Sequence, residues 1–479
     1  MSKLKIISDK QEQPRRAVSG NDFMGRAAVV TLGCAKNHVD SEVMLGVLAD
    51  AGYELTRDVS AAEVVIINTC SFLQSAVKES IDTILEISEL KKKGQVRKVI
   101  VAGCLVERYK QGELTESLPE VDAFIGNDDI PRVAEVAGGQ LATVLSEAAR
   151  PYFIYNENTP RRVATPGSYA YVKISEGCNR PCTFCIIPKI RGAMRSRSID
   201  SIVKEVGGLA AQGFNEMNLV AQDSTAYGTD TKAGNLAALL RALDAAQPNV
   251  WHRLMYAYPV GVDAELLNTI LELPSVCNYI DIPLQHSSEA VLKSMQRPLG
   301  KFSPRKIVEF MKATAPKIDI RTTFIVGYPG ETEQDVADLE HFISQGYFTN
   351  VGVFCYSPEP GTPAAEMAGQ VPQKERTARR KALMAAQQQV VKRQLKALVG
   401  STMPVLVEGP HPESDLLLQA RTQFQAPEVD GTIMVNDVAH ELTLNSVVTK
   451  GFGMVKITGV KGYDLVGTLT ELNRVEEAA

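Results

Sequence analysis

The chain has 479 residues, 44% of them hydrophobic, with a single Trp, which is material for several domains with ordinary buried cores. Lys and Arg number 51 against 56 Asp and Glu, a net charge of -5, and this excludes the overall basic surplus of a protein that lives on a nucleic-acid backbone. No run approaches the ~18 consecutive apolar residues of a membrane span, and residues 1–23 are polar and charged, so they read as a disordered extension on a cytoplasmic protein. In a reducing compartment, eight cysteines point to metal binding or chemistry rather than to disulfides.

Three β-branched runs each end in a cysteine: AAVVTLGC at Cys34, EVVIINTC at Cys70 and KVIVAGC at Cys104. Each reads as a buried parallel strand. Between them lie helical spacings, Val39, Val43 and Val47 with Met44 and Leu48, then Val77, Ile81, Ile84 and Ile87. Residues 24–140 therefore read as a doubly wound α/β domain. Ligands of such sheets bind beyond the carboxyl ends of the strands. One strand-end Cys is usually a small buried hydrophobe, but three at the same position of three successive units suggest a metal cluster with three protein ligands. A structural zinc would want a fourth ligand, and His38 lies inside a helical run.

After a polar linker (141–163), AYVKISEGC runs into CNRPCTFC, which spaces Cys178, Cys182 and Cys185 as Cys-x3-Cys-x2-Cys. Three thiolates around one [4Fe–4S] cube leave one iron open. An open iron can chelate the amino and carboxylate groups of S-adenosylmethionine, whose reductive cleavage gives a carbon radical. Six strand candidates follow in order (170–175, 216–221, 253–258, 279–284, 320–326, 350–356), with helical patterns between them. They imply a partial βα barrel over residues 164–398, with its active site on the loops at the C-terminal strand ends. Gln222 and Asp223, Gln285 and His286, and the run Gly327, Tyr328, Pro329, Gly330, Glu331 occupy those loops. Gln222, Gly327, Gly330 and Glu331 are the expected contacts to S-adenosylmethionine. Cys277 and Cys355 lie in apolar strands and read as packing residues.

The basic run 372–398 reads as a helix with a solvated face. Residues 399–470 are short β segments that suggest a small antiparallel β-barrel, and 471–479 form a tail. Residues 401–470 carry four basic and eight acidic residues, a poor surface for RNA and a good one for a basic protein. Glu428 and Asp430 are the expected substrate-binding carboxylates there.

TLGCAKNHVDSE, INTCSF, VAGC, SEGCNRPCTFCIIPKIRG, IVGYPGET and YSPEPGTPA together resemble the radical S-adenosylmethionine methylthiotransferases over about residues 24–470. The resemblance implies an N-terminal cluster domain, a radical barrel and a C-terminal β-barrel called TRAM. It implies that Cys34, Cys70 and Cys104 hold an auxiliary [4Fe–4S] cluster that supplies or carries sulfur, and that Cys178, Cys182 and Cys185 hold the radical-forming one. It also implies an electron donor such as flavodoxin or ferredoxin, and a sulfur donor. His38, where an apolar residue is expected, and the polar extension depart from the pattern. Members of the family act on a transfer-RNA adenosine or on an aspartate of small-subunit ribosomal protein S-twelve. ARTQFQAPEVDG (420–431) resembles the ribosomal-protein branch. A non-catalytic iron–sulfur or zinc protein is the alternative of another class.

Overall fold

The structure is a computed structural model, and it describes residues 6–7, 24–109, 113–143, 153–165, 167–231, 234–439 and 450–472. Most of the expected extension, part of the linker and the tail lie outside these residues.

The first domain is one sheet built from β1 (Ile6–Ile7), β2 (Arg26–Thr31), β3 (Glu54–Leu55), β4 (Val64–Thr69), β5 (Lys98–Gly103) and β6 (Ala123–Ile125). Its parallel strands run in the order β3-β2-β4-β5-β6. Side chains alternate faces along each strand, and both faces are apolar. The helix Ala35–Asp50 lays Val39, Val43 and Met44 over Val29, Ile66 and Ile100. The helix Gln74–Lys92 lays Val77, Ile84 and Ile87 over Val30, Ile67 and Val101. The chain first steps outward from β2 to β3 and then returns across β2 to β4. The strand order therefore reverses between β2 and β4, and such a reversal opens a crevice at the carboxyl ends. β1 departs from the expected disorder, because it pairs antiparallel with β2 at Val29 and Val30. β3 covers only Arg26 and Ala27 of that edge, so the remaining backbone groups of β2 are free to take the β-branched Ile6–Ile7 pair.

The second domain is a six-stranded parallel half-barrel. Its strands are β7 (Tyr169–Lys173), β10 (Glu216–Val220), β11 (Trp251–Leu254), β12 (Val276–Asp281), β13 (Asp319–Val326) and β14 (Asn350–Cys355), and a small ribbon of β8 (Ser175–Glu176) and β9 (Arg195–Ser196) lies beside it. The two ends of the half-barrel differ. Residues on the inner face of the first strands, including Tyr169, Tyr171, Met255 and Tyr279, are buried in the same apolar cluster as the helix Ala35–Asp50. Along β13 buried and half-buried residues alternate strictly, and Phe354 on β14 is exposed. The inner face is thus filled on one side and open on the other.

The third domain is a closed barrel of β15 (Thr402–His411), β16 (Ser414–Arg421), β17 (Ile433–Val438), β18 (Gly451–Lys461) and β19 (Asp464–Leu472), in the order β15-β16-β17-β19-β18. It is not wholly antiparallel as expected, since β17 and β19 pair in parallel. A closed ring with an odd number of strands cannot alternate direction all the way round, so one parallel pair is obligatory.

Charged side chains join the domains. The described part of the expected linker is a strap packed between domains rather than a loose tether. Tyr155 is buried in it, and the Arg161 guanidinium donates to Glu42 at 2.6 Å and to Glu205. Burial pushes the Glu42 carboxyl up, but Arg161, His38 and the Ala164 N–H together outweigh burial and hold it at about 2. A carboxylate whose folded value lies below its usual 4.5 stabilises fully above that pH and loses the contribution as pH falls toward 2. Glu42→Gln is therefore expected to lower stability by about 3 kcal/mol at neutral pH. The gap to wild type should close between pH 4.5 and 2 in urea titrations; a gap independent of pH would contradict the assignment.

The C-terminal barrel is docked by a second set of pairs. Arg421 bonds Glu216 at 2.7 Å and Glu408 at 2.8 Å, and Arg253 bonds Glu216 at 2.6 Å. Trp251 packs on Phe452 with ring centroids 5.1 Å apart.

Candidate active site

Cys70 and Cys104 follow β4 and β5 directly and Cys34 follows β2 after Leu32 and Gly33, so the sheet register brings them to one edge, beside the strand reversal. Cys34 caps the N-terminus of the helix Ala35–Asp50, where the helix dipole favours an anion. Gly33 has φ +93°, and a Cβ there would lie 2.6 Å from the Cys70 Cβ and 2.9 Å from its Sγ, so glycine is required for the close approach. The Asn37 amide donates to Leu32 O and Thr69 O, which ties the ends of β2 and β4 together. Burial pushes the Cys70 thiol up to about 12, with the neighbouring Cys104 and Cys34 adding to the rise. Burial also pushes Cys104 up to about 11, against the pull of Arg191. Buried thiols of this kind ionise only when a cation holds them. His38 stands 3.3 Å from Glu42 on its own helix and edge-on to Tyr171, which makes it a packing and pairing residue.

Cys178, Cys182 and Cys185 lie on the loop after β8. Their support comes from around the half-barrel. The Thr183 hydroxyl meets the Tyr328 hydroxyl at 2.8 Å, Thr183 N–H donates to Met295 O, and the Asn179 side chain accepts from Met194 N–H. Arg297 reaches Cys182 Sγ at 3.7 Å, and Arg297 and Arg180 both stack on Tyr258, at 4.2 Å and 4.1 Å. Arg180 also pairs with Asp223 at 2.6 Å. Two buried polar atoms here have no protein partner, Gln222 Oε1 and Arg297 Nε. One acceptor and one donor left open beside the cysteine loop suit the zwitterionic end of S-adenosylmethionine. Among the described residues, no three His, Cys, Asp or Glu side chains are drawn together tightly enough for a single metal ion.

The other expected contacts are differently engaged. Gln222 sits at the site, and its amide donates to Glu176 at 2.5 Å. Glu331 does not face the cysteine loop. Its Oε2 accepts from Gly327 N–H at 2.6 Å and its Oε1 from Arg379 at 2.8 Å, so the carboxylate closes its own turn against the helix Gln373–Ala397. Gly327 has φ +74°, and Arg376 fills the space where its Cβ would stand. Gly330 donates to Gly369 O. The turn acts on the site through Tyr328, which props the cysteine loop from below. The helix itself is less solvated than its charge run implies, because Arg376, Arg379 and Arg380 all bond to the half-barrel and its loops. Asp430 is engaged within the protein as well. Its buried carboxylate accepts from the Tyr279 hydroxyl at 2.8 Å and from Ala426 N–H, and pairs with Arg321 at 3.3 Å. Glu428 is exposed, but its Oε2 takes the Tyr171 hydroxyl at 3.1 Å. Both belong to the loop that seats the C-terminal barrel on the half-barrel, and with Glu408 also paired the barrel is less acidic outside than its composition implies.

The residues that sequence reasoning missed lie between the two cysteine groups. Arg191, on the short helix just beyond Cys185, donates to Cys104 Sγ at 3.2 Å, to Asn37 Oδ1 at 2.6 Å and to Asp40 at 2.8 Å. Lys173 joins Asp40 at 2.5 Å to Glu176 at 2.6 Å. Cys104 of the first domain is thus one hydrogen bond from an arginine of the cysteine-loop segment. The run KIRG after Cys185 was the available signal.

Residues 26–126 match the Uncharacterized protein family UPF0004, 172–343 the Radical SAM superfamily and 399–470 the TRAM domain. The ribosomal protein uS12 methylthiotransferase RimO of Trichlorobacter lovleyi is 44% identical over 449 residues, covering 93% of this chain and 98% of the relative. That of an Anaeromyxobacter species is 46% identical over 444 residues, covering 92% of each. The chain belongs to the RimO family. RimO-family membership and the radical barrel make this chain a transferase that uses S-adenosylmethionine and [4Fe–4S] clusters. Among solved structures, the radical S-adenosylmethionine methyltransferase TsrM from Kitasatospora setae, with cobalamin and a [4Fe–4S] cluster bound, aligns with a TM-score of 0.50 at 16% identity. The match covers 69% of this RimO-family chain and 74% of TsrM, and is a likeness of fold. No helix among the described residues is long and apolar enough to cross a membrane.

Proposed function

We propose that this chain transfers a methylthio group to the β-carbon of an aspartate in small-subunit ribosomal protein uS12, in the cytoplasm. Cys178, Cys182 and Cys185 would hold the radical-forming cluster, and Cys34, Cys70 and Cys104 the auxiliary one. An electron donor such as flavodoxin or ferredoxin would act as partner. When bound, these groups supply a carbon radical and sulfur, chemistry that no side chain provides. The chain's own residues position it. Gln222 and Arg297 offer an open acceptor and donor beside the cysteine loop. Tyr328 and Thr183 fix the loop's height, and the open inner face by β13 and β14 admits a substrate segment. The observation that carries the reading is the contact between Arg191 and Cys104, which brings the two cysteine groups to one seam.

The test is mass spectrometry of uS12 from cells with and without this enzyme, together with reaction of the purified enzyme with uS12 and with transfer RNA. Gain of one methylthio group in place of hydrogen on uS12, from protein carrying about eight irons, is the expected result. Modified transfer RNA with unchanged uS12, or stoichiometric zinc, would refute it.

A further inference from the structure

Most cations along the seam between the first domain and the half-barrel have a carboxylate. Lys173 and Arg191 pair with Asp40 and Glu176, and Arg161 and Arg197 pair with Glu205. Lys36 is different. Its residue is only 8% exposed, and it makes no salt bridge among the described residues; the groups that act on its charge are Tyr256, Cys34 and, beyond them, Glu176. Its Nζ lies 3.3 Å from the centroid of the Tyr256 ring. A cation over a ring face is held less firmly than one opposite a carboxylate, and a buried ammonium favours an anion.

The position of this ammonium is informative. Lys36 follows Gly33 and Cys34, both exposed, at the carboxyl edge where the three cysteines gather. Tyr256 follows β11 at the C-terminal end of the half-barrel and adopts φ +62°, which a tyrosine rarely takes. That conformation is clamped from two sides, by Tyr256 N–H donating to Asp281 at 3.1 Å and by Tyr256 O accepting from Ser224 N–H at 3.0 Å. Backbone held so deliberately commonly marks a functional position.

We propose that Lys36 is the specificity-determining residue that binds the carboxylate of the substrate aspartate, with the Tyr256 ring holding the ammonium in place while the site is empty. The inference rests on the uS12 reading. The carboxyl carbon is bonded to the β-carbon, so an ion pair at Lys36 fixes the reacting carbon on the Cys34 side of the seam. No bond is made or broken by Lys36, and its role is recognition and positioning.

The test uses full-length protein with both clusters reconstituted, purified uS12, and uS12 whose target aspartate is replaced by asparagine. Lys36→Met is expected to weaken binding of uS12 at least about 30-fold, the lower end for truncating one partner of a buried charge pair. Binding of the asparagine form should be the same for wild type and variant, and Lys36→Arg should keep a preference for aspartate. Lys36→Met should also leave the melting temperature nearly unchanged, because it breaks no salt bridge among the described residues. Equal loss against both forms of uS12, undiminished affinity, or a melting temperature lowered as for a broken ion pair overturns the proposal. Wild-type protein that modifies uS12 while Lys36→Met binds normally refutes this inference alone. Wild-type protein that neither binds nor modifies uS12 refutes the functional reading, and this inference with it.

Discussion

Cys182→Ala is expected to reduce cleavage of S-adenosylmethionine to background, whereas Cys70→Ala should leave cleavage within about tenfold of wild type and stop sulfur insertion. The geometry separates the two roles. Cys182 lies in the middle of the three-cysteine loop, against Arg297. The supports of that loop, Tyr328, Met295 and Met194, all belong to the half-barrel. Cys70 stands at the end of β4, with its backbone tied to Ser80 of its own domain, so its replacement leaves every support of the radical loop in place. Release of 5′-deoxyadenosine under reducing conditions measures the first activity, and methylthiolated uS12 measures the second. Loss of cleavage in folded Cys70→Ala protein that retains iron at the other site would show that the division of labour is wrong.

The second large effect concerns stability. Arg421→Met is expected to cost about 3–5 kcal/mol, the range for removing one partner of a buried ion pair. Arg421, Glu216 and Arg253 are essentially shielded from solvent, and Arg421 serves both Glu216 and Glu408. Its loss removes from Glu408 the arginine that pairs with it, and leaves Glu216 with Arg253 among the described residues. The double variant Arg421→Met with Glu408→Gln should recover part of the loss, because it removes the stranded charge. Urea denaturation followed by circular dichroism reads both. A cost below about 1 kcal/mol, the size of an exposed pair, would mean that water reaches the cluster and that the C-terminal barrel is not firmly docked.

How far the sequence is legible depends on how local each determinant is. The cysteine at each strand end, the apolar runs before it and the helical spacings after it are short-range signals, so the first sheet and both cysteine groups are readable from residues alone. The strand reversal is not, because the two residues Glu54–Leu55 that create it carry no recognisable strand pattern. The same holds for Ile6–Ile7, which has meaning only beside an edge left half covered. Glu331 and Asp430 look available in the sequence for a single reason. A carboxylate on a loop looks available until its partners are known, and those of Asp430, Tyr279 and Arg321, lie far away in the chain. Lys36 and Arg191 are the converse case. Each sits in a conspicuous motif, but its role is visible only when another domain is packed against it.

The placement of Trp251 has a practical consequence. It is the sole tryptophan of the chain, it is buried, and its ring partner Phe452 belongs to the C-terminal barrel. Indole emission from this protein therefore originates at one junction, and its wavelength responds to solvent entering between the half-barrel and the C-terminal barrel. Separation of those two bodies, by substrate, salt or mutation, becomes an optical signal without any label.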